Sequence, residues 1–218
     1  MYFENRSQAG YILASELLEK YRYENCAVVA MSPGSVLVGE QIAAQLHCVL
    51  MMLVVENIDI PGENLSFGAI SQSGDFTYNK DFTQGEIREY VDNFFGYLQD
   101  KKREAFSRIN RLIGDGGTMD DNMLKDRVVI LVSDGFGDSA SLSAALDYLK
   151  PIRIQKLVVA SPIATVDAVE QIHIRADEVH ILDVKENYIG TEHYYNDNNI
   201  PTMEQAVKKI SEIILNWQ

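Results

Sequence analysis

The sequence predicts an α/β protein built on a mostly parallel central sheet flanked by helices. Three observations predict it. Apolar runs at Cys26 to Met31, Val128 to Val132 and Ile154 to Ala160 are short, continuous and bounded by turn residues, the pattern of strands buried on both faces. Each is followed by a small polar or glycine-bearing turn and then by apolar residues at helical spacing. The alternation of the two types repeats along the chain, as in βαβ units, which are right-handed and parallel.

Composition sets the frame. The chain has 218 residues, enough for one α/β domain with a small flap, and 46% of them are hydrophobic, enough for a full core. A single domain over 1–218 is expected. The formal net charge of −13 argues against nucleic acid as a partner, since a phosphate backbone needs a basic face. Local loop amides still leave a small phosphorylated ligand open. Cys26 and Cys48 lie at the edges of apolar runs and read as small core residues of a reduced, cytoplasmic protein. No apolar run reaches the roughly 18 residues of a membrane span, and no signal peptide is recognised, so no membrane partner is expected.

Residues 5 to 22 carry Ile12, Leu13, Leu17, Leu18 and Tyr21 on one face of a first helix. Cys26 to Met31 is a strand, Ser32-Pro33-Gly34-Ser35 a turn, Val36 to Leu46 a helix and Cys48 to Val55 a second strand. Residues 57 to 80 change character. Pro61, Gly62, Gly68 and Gly74 punctuate short alternating pieces, which read as a hairpin-like flap or hood. Gln84 to Ile113 is a long helix with a charged face, and Gly114 to Asp126 a solvated loop. After Val128 to Val132, Ser139 or Ser141 caps a helix through Leu149. Ser161-Pro162 ends the next strand, Val166 to Arg175 is helical, and Glu178 to Leu182 is a short strand. Thr202 and Gln205 form a capping box for a last helix to Trp217, with Ile213, Ile214 and Trp217 inward.

The stretch VVILVSDGFGDSASLSAAL, Val128 to Leu146, concentrates the candidate chemistry. A strand ends in Ser133 and Asp134, and Gly135 to Ser141 leads into a helix. Such a loop presents amides and a positive helix end to a phosphate. A carboxylate at the strand's end suits sugar hydroxyls or a hydrated metal. An ordinary strand-to-helix turn with a serine cap has the same signature. His47, His173, His180 and His193 show no ligand spacing, so no metal site is assigned. No hydrolase elbow, Walker sequence or dinucleotide fingerprint occurs. Tyr194 and Tyr195 suit either base stacking or loop packing.

The order of elements and the central stretch resemble the type I phosphoribosyltransferases, most closely a bacterial group of predicted members with unassigned substrate. The likeness extends over FENRSQAGYILASEL (3 to 17), MSPGSVLVGEQIAAQL (31 to 46), IPGENLSFGAIS (60 to 71), LVVASPIA (157 to 164), ADEVHIL (176 to 182) and the aromatic segment Tyr188 to Asp197. It implies that fold, with a hood near 57–80. It also implies magnesium-dependent transfer of a 5-phosphoribosyl group from 5-phosphoribosyl 1-pyrophosphate to a nitrogen nucleophile, and a homodimer. In that frame Asp134 is the catalytic-site acid. Ser133 and Asp134 form the ribose or metal side. Gly135, Phe136, Gly137, Asp138, Ser139, Ala140 and Ser141 form the phosphate loop, and Ser32, Pro33, Gly34 and Ser35 the pyrophosphate turn.

The departures run in one direction. The family pattern has two adjacent acids; Ser133 replaces the first. Its Thr-Gly-x-Thr loop falls on Asp138, Ser139, Ala140 and Ser141, its turn arginine on Pro33, its Arg-Lys pair on Glu56-Asn57 and a flap glutamate on Asn64. Cations are lost and anions gained around a polyanion, and each lost charge-assisted hydrogen bond is worth roughly 1.5 to 3 kcal/mol. Arg6, Lys80 and Arg88 are the candidates to compensate. The expectation is a phosphoribosyltransferase-like protein of lost or reduced activity. An active transferase, or a non-catalytic nucleotide- or phosphate-binding regulator, is the alternative.

Overall fold

In a computed structural model the chain runs α1 (Arg6–Tyr21), β1 (Cys26–Ala30), α2 (Pro33–Leu46), β2 (Val49–Met52), β3 (Val55–Asp59), β4 (Ser66–Ser71), β5 (Phe76–Tyr78), α3 (Gln84–Gly114), β6 (Val128–Val132), α4 (Ser139–Leu149), β7 (Lys156–Thr165), α5 (Val166–Arg175), β8 (Glu178–Lys185) and α6 (Met203–Asn216). The structure describes all residues except 1, 64, 115–118, 138 and 217–218, and no side chains from 211 onward. The expected inward side chains Ile213, Ile214 and Trp217 therefore lie outside the described residues.

Five strands form one parallel sheet in the order β2-β1-β6-β7-β8, with β6 in the middle. Every residue of β1 and β6 is buried, because helices cover both faces. The period-two side-chain alternation divides each strand between two cores. Val28, Ala30, Ile130 and Val132 pack with α1, α2 and α6, while Ala27, Val29, Val129 and Leu131 pack with α4 and α5. An apolar run with no polar alternation is what such a two-sided strand requires.

Four expectations need correction. The run Cys48 to Val55 is not one strand: β2 ends at Met52, and Val55 opens β3 of a separate antiparallel sheet, β3-β4-β5. Leu53 and Val54 are fully buried at the junction, so apolar character continues across the break and hides it. The hood is thus a three-stranded sheet backed by α3, with Ile58, Ile60, Phe67 and Leu98 as its core. The turn Ser32 to Ser35 is the first turn of α2. Ser32 caps it by accepting the Ser35 amide at 3.0 Å, and Pro33 sits at the first helical position, where no N–H is needed. Ser161-Pro162 does not end β7, which continues to Thr165, and β8 extends past Leu182 to Lys185. Continuous pairing with β6 stops at Ala160, so a proline beyond it interrupts no ladder on that side. The capping box holds: Thr202 N donates to Gln205 Oε1 at 2.8 Å, and Gln205 N to Thr202 Oγ1 at 3.2 Å.

Helices α1 and α2 meet closely at Gly10, where a Cβ would stand 2.6 Å from the Val38 carbonyl oxygen. This contact fixes the start of α1, and with it Arg6, over the carboxyl edge of the sheet.

At the opposite edge Glu178 of β8 joins Lys20, Lys156 (3.4 Å) and His180 (3.0 Å). Burial opposes its ionisation, but the hydrogen bond from Lys20, with His180 adding, holds its carboxyl down at about 2. A folded-state value below the unfolded one stabilises the fold above pH about 4.5, and the gain disappears as pH falls toward 2. Thermal melts of the unmodified chain and Glu178→Gln should therefore differ most near neutral pH and converge on acidification. A gap that stays constant from pH 6 to 2 would contradict this.

Candidate functional site

The main sheet reverses its order of growth between β1 and β6: β2 lies outward of β1 on one side, and β7 and β8 follow β6 on the other. At such a point the two strand-end loops diverge and leave a crevice. Here the segments after β1 and β6, Met31–Gly34 and Ser133–Phe136, form the floor of a cleft of about 370 Å³. Val55 and Asn57 of the hood wall one side, Ser141 and Leu142 of α4 a second, and Thr191, Glu192 and Ile200 a third.

Asp134 is at the centre of this floor and is buried. Its Oδ2 accepts from Arg6 Nε at 2.6 Å, and its Oδ1 accepts from Ser32 Oγ at 2.9 Å and Ser35 Oγ at 3.1 Å. Its amide donates to Ser35 Oγ at 3.2 Å. Arg6 is 1% exposed, stacks on the Tyr195 ring at 4.4 Å and donates Nη1 to Asn198 Oδ1 at 3.1 Å, while its buried Nη2 has no partner among the described residues. Gly34 lets the pair pass: a Cβ there would stand 2.2 Å from Asp134 Oδ2 and 2.8 Å from Arg6 Nε.

The phosphate-loop residues are drawn into internal contacts. Ser133 Oγ donates to Gly135 O and accepts the Gly135 amide. Phe136 is buried and zipped to β7, donating its amide to Ile163 O and accepting from Thr165 N, each at 2.9 Å. The Tyr188 ring lies against Gly137, and its hydroxyl against Gly135; a Cβ at Gly137 would stand 2.3 Å from that ring. Ser139 and Ser141 are the first and third residues of α4, and both reach the hood instead of capping the helix. Ser139 Oγ donates to Asn79 Oδ1 (2.8 Å) and Asp81 Oδ2 (2.5 Å), and Ser141 Oγ to Asn57 Oδ1 (2.7 Å). Ala140 is fully buried against Ala69 of β4. Asp138 lies outside the described residues, as does Asn64.

The candidate compensating cations are elsewhere. Arg6 is held by Asp134, Lys80 pairs with Asp147 at 3.5 Å, and Arg88 is an exposed residue of α3. The anion at Glu56 is neutralised by Arg108 of α3 at 2.6 Å. Tyr194 and Tyr195 are both buried, so they are packing residues, and Tyr195 donates its hydroxyl to Asp134 O at 2.6 Å. Burial, with the Asp134 charge, pushes the Tyr195 hydroxyl far above its ordinary range; burial raises Tyr188 to about 12. Both remain phenols. Among the described residues, no group of three or more His, Cys, Asp or Glu is arranged to hold a metal.

The sequence reading missed Tyr188, Thr191, Asn198, Asn79 and Asp81 as parts of this site. One signal was available for Tyr188: two glycines in three residues mark a close approach, and here a tyrosine ring makes it. The N-terminal segment pairs with the late aromatic segment through Phe3 N to Tyr194 O and Asn196 N to Phe3 O, which sets Asn198 beside Arg6.

No family model matches the chain. It is 28% identical over 183 residues to the Mycobacterium tuberculosis protein named "Putative phosphoribosyl transferase Rv0571c" (strain H37Rv), and equally to its counterpart in strain CDC 1551. The match covers 81% of this chain and 39% of the relative, so the chain spans about two fifths of the length of the curated relatives it matches. Among solved structures it resembles TT1426 from Thermus thermophilus, with a TM-score of 0.73, 27% identity and coverage of 97% of this chain and 99% of that one. AQ2163 from Aquifex aeolicus shares the fold alone, at a TM-score of 0.51, 11% identity and coverage of 93% and 84%. In its five-stranded parallel sheet and hood the chain shares the fold of TT1426, and in sequence it is similar to relatives named as phosphoribosyl transferases.

Proposed function

We propose that this chain keeps the family's cleft as a ligand site but has lost, or much reduced, phosphoribosyl transfer. One observation carries the reading: the Asp134 carboxylate, the candidate acid for ribose or metal, is already bound by Arg6, Ser32 and Ser35. Releasing it means breaking a buried ion pair. Disruption of such a pair costs about 3–5 kcal/mol, which lowers the affinity of any ligand needing Asp134 by roughly two to four orders of magnitude. The amides of Asp134, Gly135 and Phe136 are likewise committed to protein acceptors, leaving less of the loop for a 5-phosphate.

Magnesium is the cofactor an active transferase would need. A hard cation takes oxygen ligands, chiefly carboxylates and waters. The floor offers one carboxylate, and Arg6 occupies it, so these residues do not fit the ion as they are arranged.

The second reading is an active, magnesium-dependent transferase acting on a nitrogen nucleophile. It draws on the name of the Mycobacterium tuberculosis relatives and requires Arg6 to release Asp134. Restoring the family pattern separates the two. The combined change Ser133→Asp, Asp138→Thr, Ser139→Gly and Pro33→Arg should bind 5-phosphoribosyl 1-pyrophosphate more tightly than the unmodified chain in calorimetric titrations. An unmodified chain that already binds as tightly as this variant would favour the second reading.

The same reading includes a homodimer. Phe95 is 59% exposed on α3, and Tyr97 and Phe106 are partly exposed on the same helix, more apolar surface than the hood's core uses. Light scattering at micromolar concentration should show twice the 24.5 kDa chain mass; a single 24.5 kDa species would refute it.

A further inference from the structure

We infer that the cleft takes an uncharged nucleoside in preference to any phosphorylated form of it. The inference rests on the reading of the cleft as a retained ligand site and adds the class of ligand. None of the described residues lining the cleft is Lys or Arg, and two of them, Asp134 and Glu192, are acids. The groups that would hold a phosphate are turned elsewhere. Arg6 lies behind Gly34 on Asp134, while Ser139 and Ser141 hold the hood through Asn79, Asp81 and Asn57.

What remains has a definite chemistry. Val55 and Ile200, each half-buried, offer apolar surface from two different segments, suited to packing on a flat ring. Glu192, exposed at the edge of the cleft, has no cation within ion-pair distance among the described residues. A carboxylate with open acceptor sites takes charge-assisted hydrogen bonds from both hydroxyls of a vicinal diol and repels a phosphate brought to the same place. A ribose toward Glu192 and a base on that apolar surface satisfy both halves of the cleft. A 5′-phosphate at the cleft floor would meet the Asp134 carboxylate and the committed amides of Asp134, Gly135 and Phe136.

The test titrates the full chain with adenosine, guanosine, inosine, uridine and cytidine, and with each one's 5′-monophosphate. At least one nucleoside should bind, and its monophosphate should bind at least tenfold more weakly. Glu192→Gln, at an exposed position, should weaken the nucleoside about fivefold or more and leave the monophosphate no weaker, so the preference narrows. A monophosphate bound as tightly as its nucleoside, no binding by any of the five nucleosides, or an unchanged preference in Glu192→Gln would each overturn the inference. Its failure is separable from failure of the proposed function: magnesium-dependent binding of 5-phosphoribosyl 1-pyrophosphate overturns that reading, whereas a preference for monophosphates without such binding overturns only this one.

Discussion

Arg6→Ala should destabilise the fold by about 3–5 kcal/mol, the largest effect expected of any single change at the site. Arg6 is 1% exposed, and the change leaves Asp134 as a buried charge with only hydroxyl partners. Urea denaturation should show a lower midpoint with an unchanged slope. Arg6→Lys should recover little, because the guanidinium joins three groups at once: Asp134, Asn198 and the Tyr195 ring. Replacing both partners, Arg6→Met with Asp134→Leu, should restore much of the loss, since an apolar pair has no stranded charge. A cost below about 1 kcal/mol for Arg6→Ala would mean the pair is solvated and weak.

Gly34→Ala is expected to destabilise although helix propensity alone predicts the opposite. Alanine in place of glycine within a helix is ordinarily worth about 1 kcal/mol in its favour. At Gly34 the new methyl would overlap Asp134 Oδ2 and crowd Arg6 Nε. Overpacking of this kind costs about 1–3 kcal/mol, with further loss as the ion pair opens. Gly96 is the control: it lies in α3 with nothing within 4 Å of its would-be Cβ, so Gly96→Ala should stabilise. Thermal melts giving both substitutions the same sign would refute the steric argument.

The parts of the fold legible in the sequence are those where one local pattern has one physical cause. A five-residue apolar run such as Val128 to Val132 is buried on both faces, and Thr202 with Gln205 three residues on marks the start of α6. Legibility failed where one pattern has two causes. Apolar residues run unbroken from Leu50 to Val55 because Leu53 and Val54 are buried between two sheets, and no residue type marks the change of sheet. Gly135 and Gly137 signal close approach equally well for a phosphate or for the Tyr188 ring. The ion pair that dominates the site joins residues 128 apart in sequence, and only the tertiary fold brings them together. The place of Asp134 at a strand's end marks it as a candidate acid, but nothing local to it names Arg6 as its partner.

In the proposed reading, the acid and loop of a polyanion site are turned inward on the protein. Calorimetric titration of the unmodified chain with 5-phosphoribosyl 1-pyrophosphate and magnesium tests it most directly. With Asp134 held by Arg6, Ser32 and Ser35, and with the amides of Asp134, Gly135 and Phe136 committed, no binding is expected in the micromolar range. Micromolar or tighter binding that disappears when magnesium is removed would contradict the account and return the chain to the active transferases.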